Sequence, residues 1–198
     1  VAVYGYRDNV VDVSLPSVYK FLSVVLDDLK AMYSEVGLTL ERVNISGDEV
    51  PDGCWLQSPS AQRLMAENGW TTAAELWGYF IGRVVDIYAE KNLKFVAYNV
   101  ALDVPQPEVK EKILKNASFL IHWHPSERHN REAMRKAYGY VEEGFPMLFS
   151  NADYTYMDNR YNTDNNDYKV HRTCSTNRRA CLKTVCNKQN KIAPFASV

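Results

Sequence analysis

Acidic residues are missing from the end of this 198-residue chain, since no Asp or Glu follows Asp167. The last 31 residues contain seven Lys and Arg, and they also contain three of the four cysteines: Cys174, Cys181 and Cys186. The formal net charge of −1 therefore combines an acidic region, residues 1–167, with a basic one, residues 168–198. We expect residues 1–167 to form the folded domain and residues 168–198 to be a poorly ordered tail.

The basic tail lacks the patterns that would give it a ligand. The spacing of His171 and the three cysteines does not match the usual structural zinc patterns, so we expect no metal there. The tail also lacks aromatic residues between its basic ones, and such a tail is usually just solvated. We therefore expect neither a metal nor a nucleic-acid partner.

Long apolar runs and glycine-rich loops are also lacking. No run reaches the roughly 18 to 20 residues that a membrane helix needs, and the first residues do not resemble a signal peptide. Because no glycine-rich phosphate loop follows any predicted strand, we expect no nucleotide cofactor. A composition of 46% hydrophobic and 24% charged residues is that of an ordinary globular domain.

What the chain does contain is an alternation of predicted helices and strands. A helix is predicted between Ser14 and Gly37, with Pro16 suited to its start. Its apolar stripe consists of Val18, Phe21, Leu22, Val25, Leu29 and Met32. Four strands follow, "LERVNIS", "LKFVAYNV", "SFLIHW" and "PMLFS", and they are separated by helices. This order predicts a parallel α/β fold, either a doubly wound sheet or part of a (β/α)8 barrel.

Polar and aromatic residues follow the predicted strands. They are Asp48 and Glu49 after the first strand, Tyr98 at the end of the second, Trp123 at the end of the third, and Tyr156 and Asp158 beyond the fourth. In a parallel barrel these positions open on one face, where catalytic residues gather. The alternatives are a solvated turn for the acidic pair and core packing for the aromatic residues.

Two carboxylates beside aromatic side chains are the groups that glycoside hydrolases typically use. Neighbouring residues of a strand point to opposite faces, but Gly47 and the change from strand to loop allow the backbone to turn between the two acids. His122 and His124 flank Trp123, and alternation would place both opposite the tryptophan. We expect packed histidines there rather than a metal site, because no third ligand is visible.

The stretch "NISGDEVPDGCWLQSPSAQRLMAENG" resembles the catalytic segment of the family 20 glycoside hydrolases, the β-N-acetylhexosaminidases. "FVAYNVAL", "FLIHW" and "LFSNADYTYMDNRYNTD" are similar to later segments of that family, in the expected order from about Asp8 to Asp167. The resemblance implies a (β/α)8 barrel of the TIM type. It also implies an enzyme that removes terminal N-acetylhexosamine from β-linked glycans, without a metal or cofactor.

The resemblance also assigns roles. Glu49 would be the general acid and then the general base, and Asp48 would orient the substrate's 2-acetamido group, which attacks to form an oxazolinium intermediate. Tyr156 would donate a hydrogen bond to the acetamido oxygen. Trp123 and Tyr98 would wall the pocket, and Asp158 would bind sugar hydroxyls.

The chain also departs from the family pattern. Ser46 replaces a glycine, Tyr98 replaces a tryptophan, and Val100 stands at an acidic position. The matched region corresponds to about four parallel strands of eight, so we expect a partial barrel that associates with itself or with the missing half. The alternative function is a non-catalytic carbohydrate-binding remnant or scaffold. The family favours a secreted, periplasmic or lysosomal location, which the sequence does not determine.

Overall fold

The structure is a computed structural model of the chain, and it describes residues 10–48, 50–51, 53–124 and 130–155. Glu49, Tyr156, Asp158 and the basic tail lie outside the described residues. The chain forms two compact units, Val1–Ser118 and Phe119–Val198.

Helices and strands alternate along the described residues. The helices are α1 (Pro16–Glu35), α2 (Pro59–Asn68), α3 (Ala73–Glu90), α4 (Pro107–Asn116), α5 (Arg131–Glu142) and α6 (Ala152–Thr155). The strands are β1 (Arg42–Asn44), β2 (Lys94–Tyr98), β3 (Ala117–His122) and β4 (Met147–Phe149). A 3-10 turn, Asn99–Leu102, follows β2.

In the first unit, β1 and β2 pair in parallel, with Val43 opposite Phe95. Phe95, Val96 and Ala97 are all buried, as expected for a parallel strand that is covered on both faces. Helices α3 and α4 pack on each other and on β2. Because the two strands are parallel, the loops that follow β1 and β2 both leave the sheet at the carboxyl ends of the strands.

Local sequence explains where the helices of this unit begin and end. Pro16, Pro59 and Pro107 each stand in the first turn of a helix, where a missing N–H costs nothing. Helix α3 begins with a capping box, because the Glu75 side chain accepts hydrogen bonds from the backbone N–H and the hydroxyl of Thr72. These signals make the predicted helix starts accurate to within a few residues.

The apolar stripe predicted on α1 is partly wrong. Tyr19 and Leu26 are the buried residues of this helix, whereas Phe21 is 68% exposed and Met32 is 62% exposed. Apolar residues lie on more than one side of α1, and only one side packs on the rest of the unit. The periodicity identified the helix correctly but did not identify its buried face.

In the second unit, β3 and β4 also pair in parallel, with His122 opposite Phe149. Helix α5 packs on β4, and its buried residues are Met134, Ala137 and Tyr140. The first residues after β4 form the short helix α6. Thr155 stabilises this single turn, since its backbone N–H and its hydroxyl both donate to the carbonyl oxygen of Asn151.

Among the residues that the structure describes, none of the helices has the length and apolar character needed to cross a lipid bilayer.

Candidate active site

The loop after β1 leaves the strand through two residues in the left-handed region. Ser46 has φ +60° and Gly47 has φ +91°, and the side chain of Asn44 accepts a hydrogen bond from the Ser46 N–H at 2.9 Å. A left-handed conformation is unusual for serine and ordinary for glycine. This double turn ends the β1 alternation and redirects the chain immediately before Asp48.

Backbone hydrogen bonds hold this loop beside β2. The Ile45 N–H donates to the Val96 carbonyl at 2.9 Å, and the Tyr98 N–H donates to the Ser46 carbonyl at 3.4 Å. Asp48 therefore follows β1 closely, and Tyr98 ends the neighbouring, paired strand β2.

Half-buried Asp48 lines a cleft of about 210 Å³ in the first unit. The other lining residues come from the β1 loop, from the start of α3 and from the turn after β2. They are Gly47, Val50, Pro51, Gly53, Trp55, Ala73, Ala74, Trp77, Val100 and Asp103. The cleft thus offers two carboxylates and two indole rings, which is a combination suited to a ligand with both hydroxyls and apolar faces.

The two indole rings of the cleft stack on each other. Trp55 and Trp77 have ring centroids 6.4 Å apart and planes 11° apart. Each ring is also anchored by its N–H, which donates to the Val11 carbonyl at 2.8 Å for Trp55 and to the Val100 carbonyl at 3.0 Å for Trp77. Trp55 has φ +73°, an unfavourable conformation for a bulky residue that these contacts hold in place.

Tyr98 is half-buried at the end of β2 and does not line the cleft. The roles predicted for Asp48 and Tyr98 remain predictions. Glu49, Tyr156 and Asp158 lie outside the described residues.

Trp123 belongs to the second unit, where it directly follows β3. Its carbonyl oxygen accepts a hydrogen bond from the Ala152 N–H at 3.1 Å, and the Asn151 side chain donates to the His124 carbonyl at 3.2 Å. The end of β3 is therefore tied to the start of α6. Within the described part of the chain, the buried indole N–H of Trp123 has no hydrogen-bond partner, so it could donate to a ligand.

The rings of the two histidines that flank Trp123 lie near each other, with centroids 5.5 Å apart. His122 is fully buried, and its ring centroid lies 5.6 Å from that of Phe149. His124 also stacks on Trp123, with centroids 4.4 Å apart. That both histidines lie on the face opposite the tryptophan stays a prediction.

Burial also changes the acidity of His122. Loss of hydration, with a smaller contribution from the charge of His124, lowers the pKa of His122 from 6.5 to about 4. His122 is therefore neutral over most of the pH range. Among the described residues, no group of three or more His, Cys, Asp or Glu side chains could hold a metal ion.

Sequence reasoning missed Trp77 and Asp103 as cleft residues. Trp77 lies on the apolar face of α3, where any pattern predicts a core residue, and only the fold brings it to the β1 loop. Asp103 follows the 3-10 turn by one residue, and no periodic signal marks that position. Both residues are distant in sequence from Asp48, so their proximity depends on strand pairing.

These features define a class of protein: a parallel α/β domain of the barrel type with a carboxylate and aromatic cleft at the carboxyl ends of its strands. The sequence model of the family "Glycosyl hydrolase family 20, catalytic domain" matches residues 2–195. The chain belongs to this family. The match extends beyond Asp167 into the basic tail, whose separation as a region of its own remains a prediction.

Characterised relatives are similar over most of this chain. The beta-hexosaminidase of Vibrio furnissii is 31% identical over 157 residues, which make up 79% of this chain and 22% of the relative. Beta-hexosaminidase B of Pseudoalteromonas piscicida is 27% identical over 161 residues, or 81% of this chain and 19% of the relative. This chain thus spans about a fifth of the length of these relatives.

Solved structures of the same family are similar to this chain. The GH20 exo-beta-N-acetylglucosaminidase of Vibrio harveyi, in complex with N-acetylglucosamine, superposes with a TM-score of 0.59 and 28% identity. The superposition covers 78% of this chain and 21% of that one. The predicted fold class, a partial (β/α)8 barrel with about four parallel strands, is confirmed.

Proposed function

We propose that this chain carries the acid–base centre of a β-N-acetylhexosaminidase, which removes terminal N-acetylhexosamine from β-linked glycans. The observation that carries the proposal is the position of Asp48, on a double left-handed turn at the end of β1, in a cleft walled by Trp55 and Trp77. Family membership supports the reaction class, and the names of the relatives support the sugar.

In this proposal Asp48 and Glu49 act on different parts of the substrate. The acetamido oxygen of the sugar attacks the anomeric carbon while Glu49 gives its proton to the glycosidic oxygen, so the leaving group departs as an alcohol. Asp48 orients the acetamido group and balances the positive charge of the oxazolinium that forms. Water then attacks the same carbon and gives a proton to Glu49, which restores the acetamido group with retained configuration.

General acid catalysis near neutral pH needs a protonated acid, and a second carboxylate nearby favours that form. The adjacent position of Asp48 in the sequence supports this arrangement, because a negative charge there would disfavour a second negative charge on Glu49.

The aromatic residues supply sugar contacts in this proposal. The indole N–H of Trp123, which has no partner among the described residues, supports a hydrogen bond to the substrate, and its ring offers an apolar wall. Tyr98 would add a second wall, Tyr156 would hold the acetamido oxygen, and Asp158 would bind sugar hydroxyls. These assignments rest on the family resemblance.

Hydrolysis of nitrophenyl N-acetyl-β-glucosaminide by the full 198-residue chain tests the proposal. We expect Glu49→Gln to lower kcat about 10²- to 10⁴-fold, the range expected for loss of a general acid. The matched control is Glu67→Gln, the same chemical change at an exposed position of α2, which should leave kcat within about twofold of wild type. Equal rates for the two variants would exclude the proposed role of Glu49.

The second candidate is a non-catalytic carbohydrate-binding remnant. It is favoured by Val100, which stands at an acidic position of the family pattern and lines the cleft. Calorimetric binding of N-acetylglucosamine without nitrophenol release would support this candidate over the enzyme.

We also propose that the chain associates with a second copy or with further barrel segments through α1. Phe21, Val24 and Met32 expose between 49% and 68% of their surface, which is unusual for large apolar side chains on one helix. Sedimentation velocity at increasing concentration should show a rise in mass if the second copy is the partner, and a constant monomer mass would exclude it.

A further inference from the structure

The side chain of Trp77 lies between the two loops that follow β1 and β2. It projects from the first turns of α3, is only 9% exposed, and lines the cleft beside Asp48. Its contacts with the two loops differ in kind, and each one limits the position of a loop that lines the cleft.

The first contact is with the backbone at Gly47. A Cβ added to Gly47 would lie 2.9 Å from Cη2 and 3.4 Å from Cζ2 of Trp77, so the ring rests directly against this glycine. Gly47 immediately precedes Asp48 and has φ +91°. The indole edge therefore limits how far the β1 loop can move toward α3.

The second contact is a hydrogen bond to the turn after β2. The indole N–H of Trp77 donates to the Val100 carbonyl at 3.0 Å, two residues after Tyr98. A tryptophan that served only to fill the core would need no acceptor from this turn in particular. One rigid ring thus contacts both loops at once.

A third contact returns to the β1 loop further along the chain. Trp77 stacks on Trp55, whose own N–H is bound to the Val11 carbonyl. Gly47 precedes Asp48 and Glu49 in the sequence, and Trp55 follows them. The ring of Trp77 therefore contacts the loop on both sides of the acidic pair.

We propose that Trp77 is a positioning residue. It sets the distance between the loop after β1 and the turn after β2, and it thereby positions the acidic pair. A displacement of about 1 Å at a reacting group can cost about 10²-fold in rate, so a rigid spacer at this point has a catalytic consequence. The inference rests on the proposed hexosaminidase function, but the contacts of Trp77 can be tested separately from it.

The test compares Trp77→Phe with Val85→Ala in the full-length chain. The first change removes the indole N–H together with Cη2 and Cζ2. The second removes buried volume from the same helix about two turns further along. For each variant, kcat and KM are measured with the nitrophenyl substrate, and hydrogen exchange is followed in the peptide that spans residues 45–56.

We expect Trp77→Phe to lower kcat at least tenfold, to change KM less than threefold, and to speed the exchange of the 45–56 peptide at least tenfold. Val85→Ala should leave kcat within twofold and the exchange of this peptide unchanged. A Trp77→Phe chain whose kcat falls no further than that of Val85→Ala would overturn the proposal.

Two further outcomes are also decisive. If the wild-type chain shows no turnover, the proposed function fails for this chain, and the exchange data alone decide the role of Trp77; equal exchange in both variants would overturn it. If Trp77→Phe does not fold, Gly47→Ala probes the same contact from the loop. It should speed exchange in the 45–56 peptide more than Val85→Ala does, and equal exchange would overturn the proposal.

Discussion

Single residues at the end of β1 decide whether two adjacent carboxylates can serve one site. In a continued strand, Asp48 and its neighbour would point to opposite faces. Ser46 and Gly47 are both left-handed, so the strand geometry ends before the acidic pair begins. The glycine takes this conformation freely, whereas the serine takes it at a cost of roughly 1 to 2 kcal/mol.

Replacing Ser46 by glycine should therefore stabilise the protein. We expect the free energy of unfolding to rise by about 0.5 to 1 kcal/mol, because relief of the left-handed strain exceeds the added entropy of an unfolded glycine. Urea unfolding measures the change. Ser46→Ala is the matched control, since it keeps the Cβ and should give no gain; equal stabilisation by both variants would contradict the explanation.

A single residue, His122, makes the stability of the protein depend on pH. Its folded pKa of about 4 lies below its ordinary value of 6.5, so only the unfolded chain takes up this proton between pH 6.5 and 4. The contribution of His122 to the free energy of unfolding is therefore fully present above pH 6.5. It decreases as the pH falls toward 4, by about 1.4 kcal/mol per pH unit or roughly 3 kcal/mol in all.

Replacing His122 by leucine should remove this dependence. Urea unfolding at several pH values should show wild type losing roughly 3 kcal/mol more than His122→Leu between pH 6.5 and 4. His124→Gln should reduce the loss slightly, because it removes the nearby charge that helps to lower the pKa of His122. Parallel pH profiles for wild type and His122→Leu would show that His122 is not the group responsible.

At the scale of elements, the sequence predicts which segments are helices and strands better than it predicts which faces they bury. Proline, serine and threonine signals mark the helix starts because capping is a local interaction. The buried face of α1 is set by the neighbours it packs against, and these are distant in sequence. The pattern therefore predicted Phe21 and Met32 as core residues although both are exposed.

The link between the segment before α1 and the start of α2 is another interaction that local pattern could not reveal. The Asp12 carboxylate accepts hydrogen bonds from the hydroxyls of Ser58 and Ser60 at 2.6 and 2.9 Å, and Ser58 is also the N-cap of α2. Partial burial opposes ionisation of Asp12, but these bonds and those from Ser14 outweigh it and lower its pKa.

Removing this carboxylate should loosen the start of α2. We expect Asp12→Ala to lower the free energy of unfolding by about 2 kcal/mol at pH 7, because two hydroxyls lose a charged acceptor. Since the folded pKa of Asp12 is depressed, its contribution is present above the unfolded pKa and is lost as the pH falls through the folded one. The difference between wild type and variant should therefore shrink in acid.

Denaturation by urea at pH 7 and again below pH 3 would measure both effects. Asp28→Ala is the control, as this aspartate is an exposed residue of α1. A loss for Asp12→Ala no larger than for Asp28→Ala would contradict the role of the carboxylate network.

At the scale of the whole molecule, the motif around Asp48 and the order of the later segments were sufficient to predict the family and the barrel class. They could not predict the contact of Trp77 with Gly47, which lies thirty positions earlier, because that contact depends on how α3 packs over two paired strands. Fold class follows from patterns along the chain, whereas the shape of the cleft follows from contacts across it.

The exposed apolar side of α1 leads to a prediction at the same scale. Phe21 and Met32 are three helical turns apart on one face, and covering each such side chain contributes about 1.5 to 3 kcal/mol. If this face is an interface between copies, the double change Phe21→Glu with Met32→Lys should weaken association at least tenfold without altering the net charge.

Sedimentation velocity over a range of concentrations would measure the dissociation constant of the association between copies. Ser17→Glu with Ser34→Lys is the matched control, because it introduces the same two charges at exposed polar positions of α1 and removes no apolar surface. We expect the control to associate like wild type, since the lost free energy comes from apolar burial rather than from charge. Equal dissociation constants for both double variants would show that the α1 face does not form the interface.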